Sequence, residues 1–238
     1  MNSSTESKGL RTPANCISGG ISLVKNVLFG LVFIAVFIDR DLNALNAEQP
    51  AARSASSTET IVFFRHAEKP EKEFGQLSCQ GLNRALALPQ VLISKFGMPD
   101  YLFAPAPNRR TTVTGDEYNY VRPLATIEPT AIRLGLPVNT DYSFSDIDGL
   151  RFELTRDKYE NARIYVSWEH NELERVVKQI VGQFNGDPGT VPKWEGKDYD
   201  SIYIVKITSG GTAKSVSFSQ DHEKLDNLST DCPDVKQP

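Results

Sequence analysis

The chain is short of most features that settle a protein's class at a glance. It has no basic cluster of useful size, and its formal net charge over 238 residues is −4, which argues against a nucleic-acid surface. No segment repeats another. No uninterrupted apolar run reaches the roughly 20 residues that span a bilayer. Clustered thiolates and carboxylates are lacking, and histidine and cysteine number three each, a thin ligand set for a metal ion. What is left is an ordinary globular composition, 39% hydrophobic and 24% charged, of a size that suits one domain with appendages.

One end departs from that average. Lys8, Arg11 and Lys25 precede the apolar run "VLFGLVFIAVFI", Val27 to Ile38. Its length fits the core of a signal peptide. Extended back to Ile21 it takes in Lys25 and Asn26, which could snorkel at a membrane face. Residues 1–45 therefore read as a cleaved signal peptide or an uncleaved anchor, with membrane attachment through residues 21–38 in the second case. In both, the positive-inside rule puts the rest of the chain outside the cytoplasm, periplasmic or secreted. Residues 46–58 lie in the stretch "NAEQPAARSASSTET", rich in Ala, Ser and Thr without periodicity, and read as a flexible linker. A folded domain is expected over 59–220, then a polar tail over 221–238. With Cys16 in the leader, Cys79 and Cys232 make an even pair in an oxidising compartment. They could form a disulfide or stay free.

Within the domain, strand and helix signals alternate. "IVFF" (Ile61–Phe64), "DYLFA" (Asp100–Ala104) and "ARIYVSW" (Ala162–Trp168) read as inner strands. A helix is predicted in "LSCQGLNRALALPQVLISKFG", capped by Ser78, with Leu82, Leu86, Val91 and Leu92 as its apolar face and a kink or division at Pro89. The stretch from Pro105 to Tyr120 reads as irregular. A helix follows in "PLATIEPTAIRLG", with Pro123 in its first turn, Gly135 at its end and Pro129 as a complication inside. Another in "NELERVVKQIVGQF" carries Leu173, Val176, Val177 and Ile180 at helical spacing. "SIYIVKI" and "AKSVSF" read as a hairpin about "TSGG". Trp168 and Trp194 are expected in buried packing. The alternation predicts an α/β sandwich with a largely parallel sheet.

Two of the three histidines then take on meaning. His66 follows the first strand and His170 the third, and ligands of parallel sheets bind beyond the carboxyl ends of the strands. Arg65 adjoins His66. Arginine beside a metal ligand would repel the cation, whereas guanidinium forks match phosphate oxygens. A neutral imidazole can itself take up a phosphoryl group. Arg65 and His66 thus sit where a strand ends because their partner is an anion.

At this point the sequence resembles the histidine phosphatase superfamily, the phosphoglycerate mutase-like proteins, in its small bacterial type. The family's Arg-His-Gly is matched by Arg65-His66-Ala67, its Gly-x-x-Arg-Ala by Gly81 to Ala85, its second arginine segment by "RPLATIEPTA" from Arg122, and its second histidine by "IYVSWEH" ending at His170. The blocks follow in order over about 120 residues. Three departures stand out: Ala125 replaces a common glutamine, Glu169 replaces a glycine, and Arg109 and Arg110 in a lengthened loop compete with Arg122.

The resemblance implies a three-layer α/β/α sandwich, a phosphomonoesterase working without metal or other cofactor, and a phosphorylated small-molecule substrate. His66 would be the nucleophile, with Arg65, Arg122 and His170 holding the phosphoryl group. Arg122 is preferred to Arg109 and Arg110 because backbone N–H groups at a helix start also favour anions. For the general acid the candidates are Asp146 first and Asp148 second, with Glu68 and Glu169 behind; Asp146 could equally cap a helix. The alternatives are a phospho-ligand binding module without turnover, or a mutase or phosphohistidine phosphatase of the same superfamily.

Overall fold

The computed structural model describes residues 56–72, 74–108, 110–112, 117–210 and 213–234, with side chains left aside at 110–112 and 117. The chain divides into two units, Met1–Pro50 and Ala51–Pro238, and every described residue lies in the second. The leader and most of the linker expected from the sequence fall outside the described residues. Among those described, no helix is long and apolar enough to cross a membrane.

The elements run β1 (Ser57–Arg65), α1 (Cys79–Phe96), β2 (Tyr101–Phe103), β3 (Arg110–Thr112), β4 (Glu117–Asn119), α2 (Arg122–Leu134), β5 (Val138–Asn139), α3 (Ile147–Leu154), β6 (Arg163–Trp168), α4 (His170–Gln183), β7 (Ser201–Gly210) and β8 (Ala213–His222). The main sheet has the order β5-β2-β6-β1-β7-β8. Its first four strands are mutually parallel, while β7 and β8 form the expected antiparallel hairpin. β1 is central, so both its faces are covered, which is why its sequence is an unbroken apolar run. Ile61 and Phe63 face a core shared with α3 and α4, and Val62 and Phe64 face one shared with α1 and α2. The result is a three-layer α/β/α sandwich, in which each fully buried Phe or Ile contributes about 1.5–3 kcal/mol.

The helices depart from expectation in instructive ways. Ser78 caps α1 as predicted, accepting from the Gly81 amide at 3.1 Å. The helix then runs unbroken through Pro89, which lies on its buried face beside Leu88 and Leu92. A mid-helix proline costs about 3 kcal/mol, and packing on that face offsets it. α2 likewise continues through Pro129 to a left-handed Gly135. The predicted face of α1 was rotated: Leu82 and Leu86 are 39% and 54% exposed, and Arg84 occupies the inward position instead. The stretch expected to be irregular contains the β3–β4 hairpin, whose polar composition gave no strand signal. For α3 the sequence offered only its start, the cap at Asp146, which the structure has. Leu173, Val176, Val177 and Ile180 line the core, as do Trp168 and Trp194.

The tail beyond β8 is docked rather than loose. Cys79 and Cys232 are joined, closing a loop of sequence separation 153, which on chain entropy alone stabilises the fold by at most about 5 kcal/mol. Beside the bridge, the Asn83 side-chain amide donates to the carbonyls of Ser229 and Asp231 at 2.9 and 2.7 Å.

At the far end of β1, Glu59 is buried with one carboxylate oxygen unpartnered. Burial pushes its pKa up to about 8, with Lys214 pulling it down and Glu160 pushing it up. The folded state therefore holds a proton that the unfolded chain releases near pH 4.5. Its stabilising effect is complete below that pH and is lost as pH rises towards 8. Unfolding free energies measured by denaturation from pH 5 to pH 9 should fall less in Glu59→Gln than in the wild type, by an amount on the order of a few kcal/mol. Parallel curves for the two proteins would show that Glu59 does not titrate in this window.

Candidate active site

Parallel pairing brings the two histidines together. β1 and β6 are neighbours in a register that sets Arg65 opposite Trp168. The ladder continues one residue further, where the His66 amide donates to the Trp168 carbonyl at 2.9 Å. His66 thus leaves β1 directly beside the point where Glu169 and His170 leave β6 to begin α4.

His66 is 2% exposed. Its Nδ1 lies 2.8 Å from the Ala67 carbonyl oxygen. A carbonyl only accepts, so Nδ1 carries the hydrogen and a neutral ring leaves the Nε2 lone pair free. Burial, then the charges of Arg65 and Arg122, hold the imidazole pKa well below its ordinary value, against the raising effect of the Ala67 bond. This is a neutral imidazole in a fixed tautomer. The loop carrying it is tied to α2 through Thr126, whose hydroxyl accepts from the Ala67 amide and donates to the Arg122 carbonyl, both at 2.9 Å.

Two guanidiniums border the imidazole. Arg65 donates through Nη1 to the carbonyls of Gly196 and Asp198 at 2.9 and 3.0 Å and stacks 3.9 Å over the Tyr199 ring. Arg122 opens α2 and lies 4.8 Å over the Tyr120 ring. Arg65 Nε and Arg122 Nε and Nη1 are buried with no partner among the described residues. The helix-start amides expected to assist Arg122 are used elsewhere: those of Val121 and Arg122 both donate to the Gly75 carbonyl at 3.0 Å. Gly75 has φ +77°, and a Cβ there would lie 2.1 Å from the Asn119 carbonyl oxygen, so only glycine fits. Arg109 and the side chain of Arg110 lie outside the described residues.

His170 is the first residue of α4, and Glu169 caps that helix by accepting from the Glu172 amide at 2.9 Å. The other Glu169 oxygen lies 2.5 Å from His170 Nδ1, off the line of an aligned hydrogen bond. Glu169 therefore turns into the site rather than away from it. Burial works to raise its pKa, but His170 and the α4 amide hold it below the usual carboxylate value. On the opposite side of the ring, a Cβ at Gly196 would come 3.8 Å from Nε2. The loop that anchors Arg65 thus also covers His170. Lys69 was not foreseen as a site residue. Burial, then Arg122 and Arg65, lower its pKa while Glu169 raises it, which places it in the same electrostatic neighbourhood. Its position three residues after His66 was the signal available in the sequence.

The remaining acids are disposed differently. Glu68 is engaged by Arg84, whose Nε donates to both its oxygens at 3.0 and 3.1 Å. Arg84 also contacts Glu223 at 2.6 Å, Asp226 at 3.2 Å and Asp200 at 3.4 Å, so this motif arginine is a structural hub. Asp148 accepts from Gln179 at 3.3 Å. Asp146 caps α3 by accepting from the Gly149 amide at 3.1 Å and is exposed. It opens onto a cleft of about 510 Å³ with Asn108, Thr140 and Ser143. No hydrogen bond or ion pair in the described residues joins Asp146 to Arg65, His66, Arg122 or His170. Its segment nevertheless borders the site, since Phe144 packs 5.1 Å from Tyr120, which packs 6.0 Å from His66. Among the described residues, no group of three or more His, Cys, Asp or Glu side chains is placed to hold a metal ion.

No family model and no curated protein matches the chain. Solved structures do. A candidate phosphohistidine phosphatase SixA from Nakamurella multipartitia is 14% identical, with TM-score 0.45, over 69% of this chain and 96% of that one. Its counterpart from Agrobacterium tumefaciens is 9% identical, with TM-score 0.44, over 68% and 97%. A phosphoglycerate mutase from Plasmodium falciparum is 10% identical, with TM-score 0.45, over 68% and 89%. At such identities and scores the likeness decides nothing about chemistry, which has to be read from this chain's own side chains.

Removal of Arg84 leaves buried carboxylates without their counter-charge. Arg84→Met should lower stability by about 3–5 kcal/mol, measured by chemical denaturation. A loss below about 1 kcal/mol, the size of an exposed ion pair, would show that the hub does not hold this edge of the fold.

Proposed function

We propose that the protein is a phosphoric monoester hydrolase in which His66 Nε2 takes up the phosphoryl group. One observation carries this reading. A neutral imidazole whose Nδ1 is taken up by Ala67 lies in the field of two buried arginines, and Arg65 Nε and two Arg122 nitrogens have no aligned hydrogen bond to the described residues. Buried donors are ordinarily paired. Their common acceptor is a tetrahedral oxyanion, and guanidinium forks complement the equatorial oxygens of a transferring phosphoryl group.

The reaction runs in two displacements. The Nε2 lone pair attacks phosphorus, the Nε2–P bond forms, and the P–O bond to the leaving alcohol breaks. The alkoxide takes a proton from a carboxylic acid, and the Ala67 carbonyl stabilises the positive charge on the ring through Nδ1–H. Water then attacks phosphorus, returns a proton to the carboxylate, and breaks the Nε2–P bond. The sum is ester plus water to alcohol plus phosphate. Arg65, Arg122 and His170 hold the phosphoryl oxygens, and the charge of the two arginines takes the place a metal ion would fill. Asp146 is assigned the proton transfer. Glu68 is held by Arg84 and Glu169 is ionised against His170, whereas Asp146 gives up a single capping bond worth about 1 kcal/mol. Export is part of the same proposal, supported by the N-terminal apolar run and by the Cys79–Cys232 bridge, since disulfides persist in oxidising compartments.

The full chain in excess chelator should release phosphate from an aryl phosphate, and His66→Ala should reduce that rate by at least about a thousandfold. Quenching in alkaline detergent with labelled substrate should trap a phosphoenzyme in the wild type alone, and the label should be lost on acid treatment. Asp146→Asn should slow an alkyl phosphate about 100-fold and an aryl phosphate far less, because the aryl oxide needs no proton to leave. Turnover that survives in His66→Ala would overturn the mechanism. Equal losses on both esters would remove Asp146 from the acid role.

A further inference from the structure

Tyr120 takes no part in the steps above, yet it is built into their centre. It is 2% exposed and stands two residues ahead of Arg122. Its ring is perpendicular to that of His66 at 6.0 Å and packs on Phe144 at 5.1 Å, with the Arg122 guanidinium 4.8 Å above it. Its hydroxyl is buried beside Arg122, which acts on the phenol oxygen as a donor, and the hydroxyl's own hydrogen has no acceptor among the described residues. A hydroxyl left in that state carries a desolvation penalty that a phenylalanine would avoid.

The charges around the hydroxyl indicate what it is for. Burial raises the phenol pKa, with Arg122 and Arg65 pulling it down and Glu169 pushing it up. The oxygen therefore lies within electrostatic reach of the two arginines proposed to bind phosphate and of the carboxylate beside His170. The net shift is upward, so the group keeps its hydrogen at neutral pH and serves as a donor rather than a proton source. Arg65 Nε likewise has no partner among the described residues.

We infer that the Tyr120 hydroxyl is a further catalytic group, donating a hydrogen bond to a non-bridging oxygen of the phosphoryl group as it passes to and from His66. This deepens the phosphatase reading and rests on it. A donor that meets charge developing in the transition state acts mainly on kcat, because it is aimed at oxygens whose charge grows as the group transfers. A wall residue that only packs would leave kcat alone and act, if at all, on stability.

Tyr120→Phe in the full chain removes one oxygen and keeps the ring contacts. It should lower kcat on an aryl phosphate about 10- to 100-fold with little change in KM. It should weaken inhibition by vanadate, which adopts the five-coordinate geometry of the transfer, more than inhibition by inorganic phosphate. Its denaturation midpoint should equal or exceed that of the wild type. Wild-type kcat and vanadate inhibition in Tyr120→Phe would overturn the assignment, as would a loss of activity that merely follows a loss of stability. Failure of the underlying reading shows separately. In that case the wild type itself binds neither vanadate nor phosphate by calorimetry, or His66→Ala keeps its turnover, before Tyr120 is touched.

Discussion

The register between β1 and β6 is the constraint from which the candidate site follows. Parallel pairing of Arg65 with Trp168, extended by the bond from the His66 amide to the Trp168 carbonyl, sets two histidines from distant parts of the chain at one sheet edge. Strand side chains alternate with a period of two. A slip of one residue would turn Ile61 and Phe63 away from the α3–α4 core and separate the histidines at the same time. The buried apolar residues of β1 therefore fix the chemistry as well as the fold.

A second tier of polar contacts holds the loop after β1 in place. Glu68 follows His66 by two residues, and its carbonyl receives both the backbone amide and the hydroxyl of Ser78, at 2.8 and 3.3 Å. Its carboxylate meets Arg84, which also engages acids at the β7–β8 end and in the tail. Gly81 is required at the same contact, since a Cβ there would stand 2.3 Å from the Glu68 carbonyl oxygen. The Cys79–Cys232 bridge fixes the tail to the first residue of the same helix. The motif glycine and arginine, the disulfide and the tail thus act on one short loop, though none of them is read here as touching substrate.

Much of this was legible in the sequence where chemistry and periodicity agree. The apolar runs of β1 and β6, the helical spacing of Leu173 to Ile180, and the histidines placed after strands all appeared where they were read. The misses have a common cause in tertiary contacts that one sequence does not display. Arg84 turns inward because distant acids receive it, so a face drawn through Leu82 and Leu86 was bound to be rotated. Pro89 and Pro129 are carried by packing that outweighs local preference. Glu169 could be seen as a departure from a glycine, but its contact with His170 depends on how α4 begins. Tyr120 and Lys69 gave no signal stronger than proximity to Arg122 and His66.

The electrostatics of the site explain why stability alone would not produce it. Arg65 and Arg122 are 2% and 4% exposed, and three of their nitrogens lack partners in the described residues. Burying charge without full hydrogen bonding is among the costliest arrangements in a folded protein. Glu169 offsets part of that charge, but it lies against His170 rather than across a guanidinium fork, so the arginine nitrogens stay available. A carboxylate placed squarely on Arg122 would stabilise the fold and compete with any anionic ligand. The same trade keeps His66 neutral: burial depresses its pKa first, and the cations that add to the effect are those a phosphoryl group would engage. On a phosphorylated His66 they would face the new negative charge directly. Under the proposed reaction the arrangement would be better matched to the phosphoryl-bearing state than to the free protein, the direction of complementarity that catalysis requires.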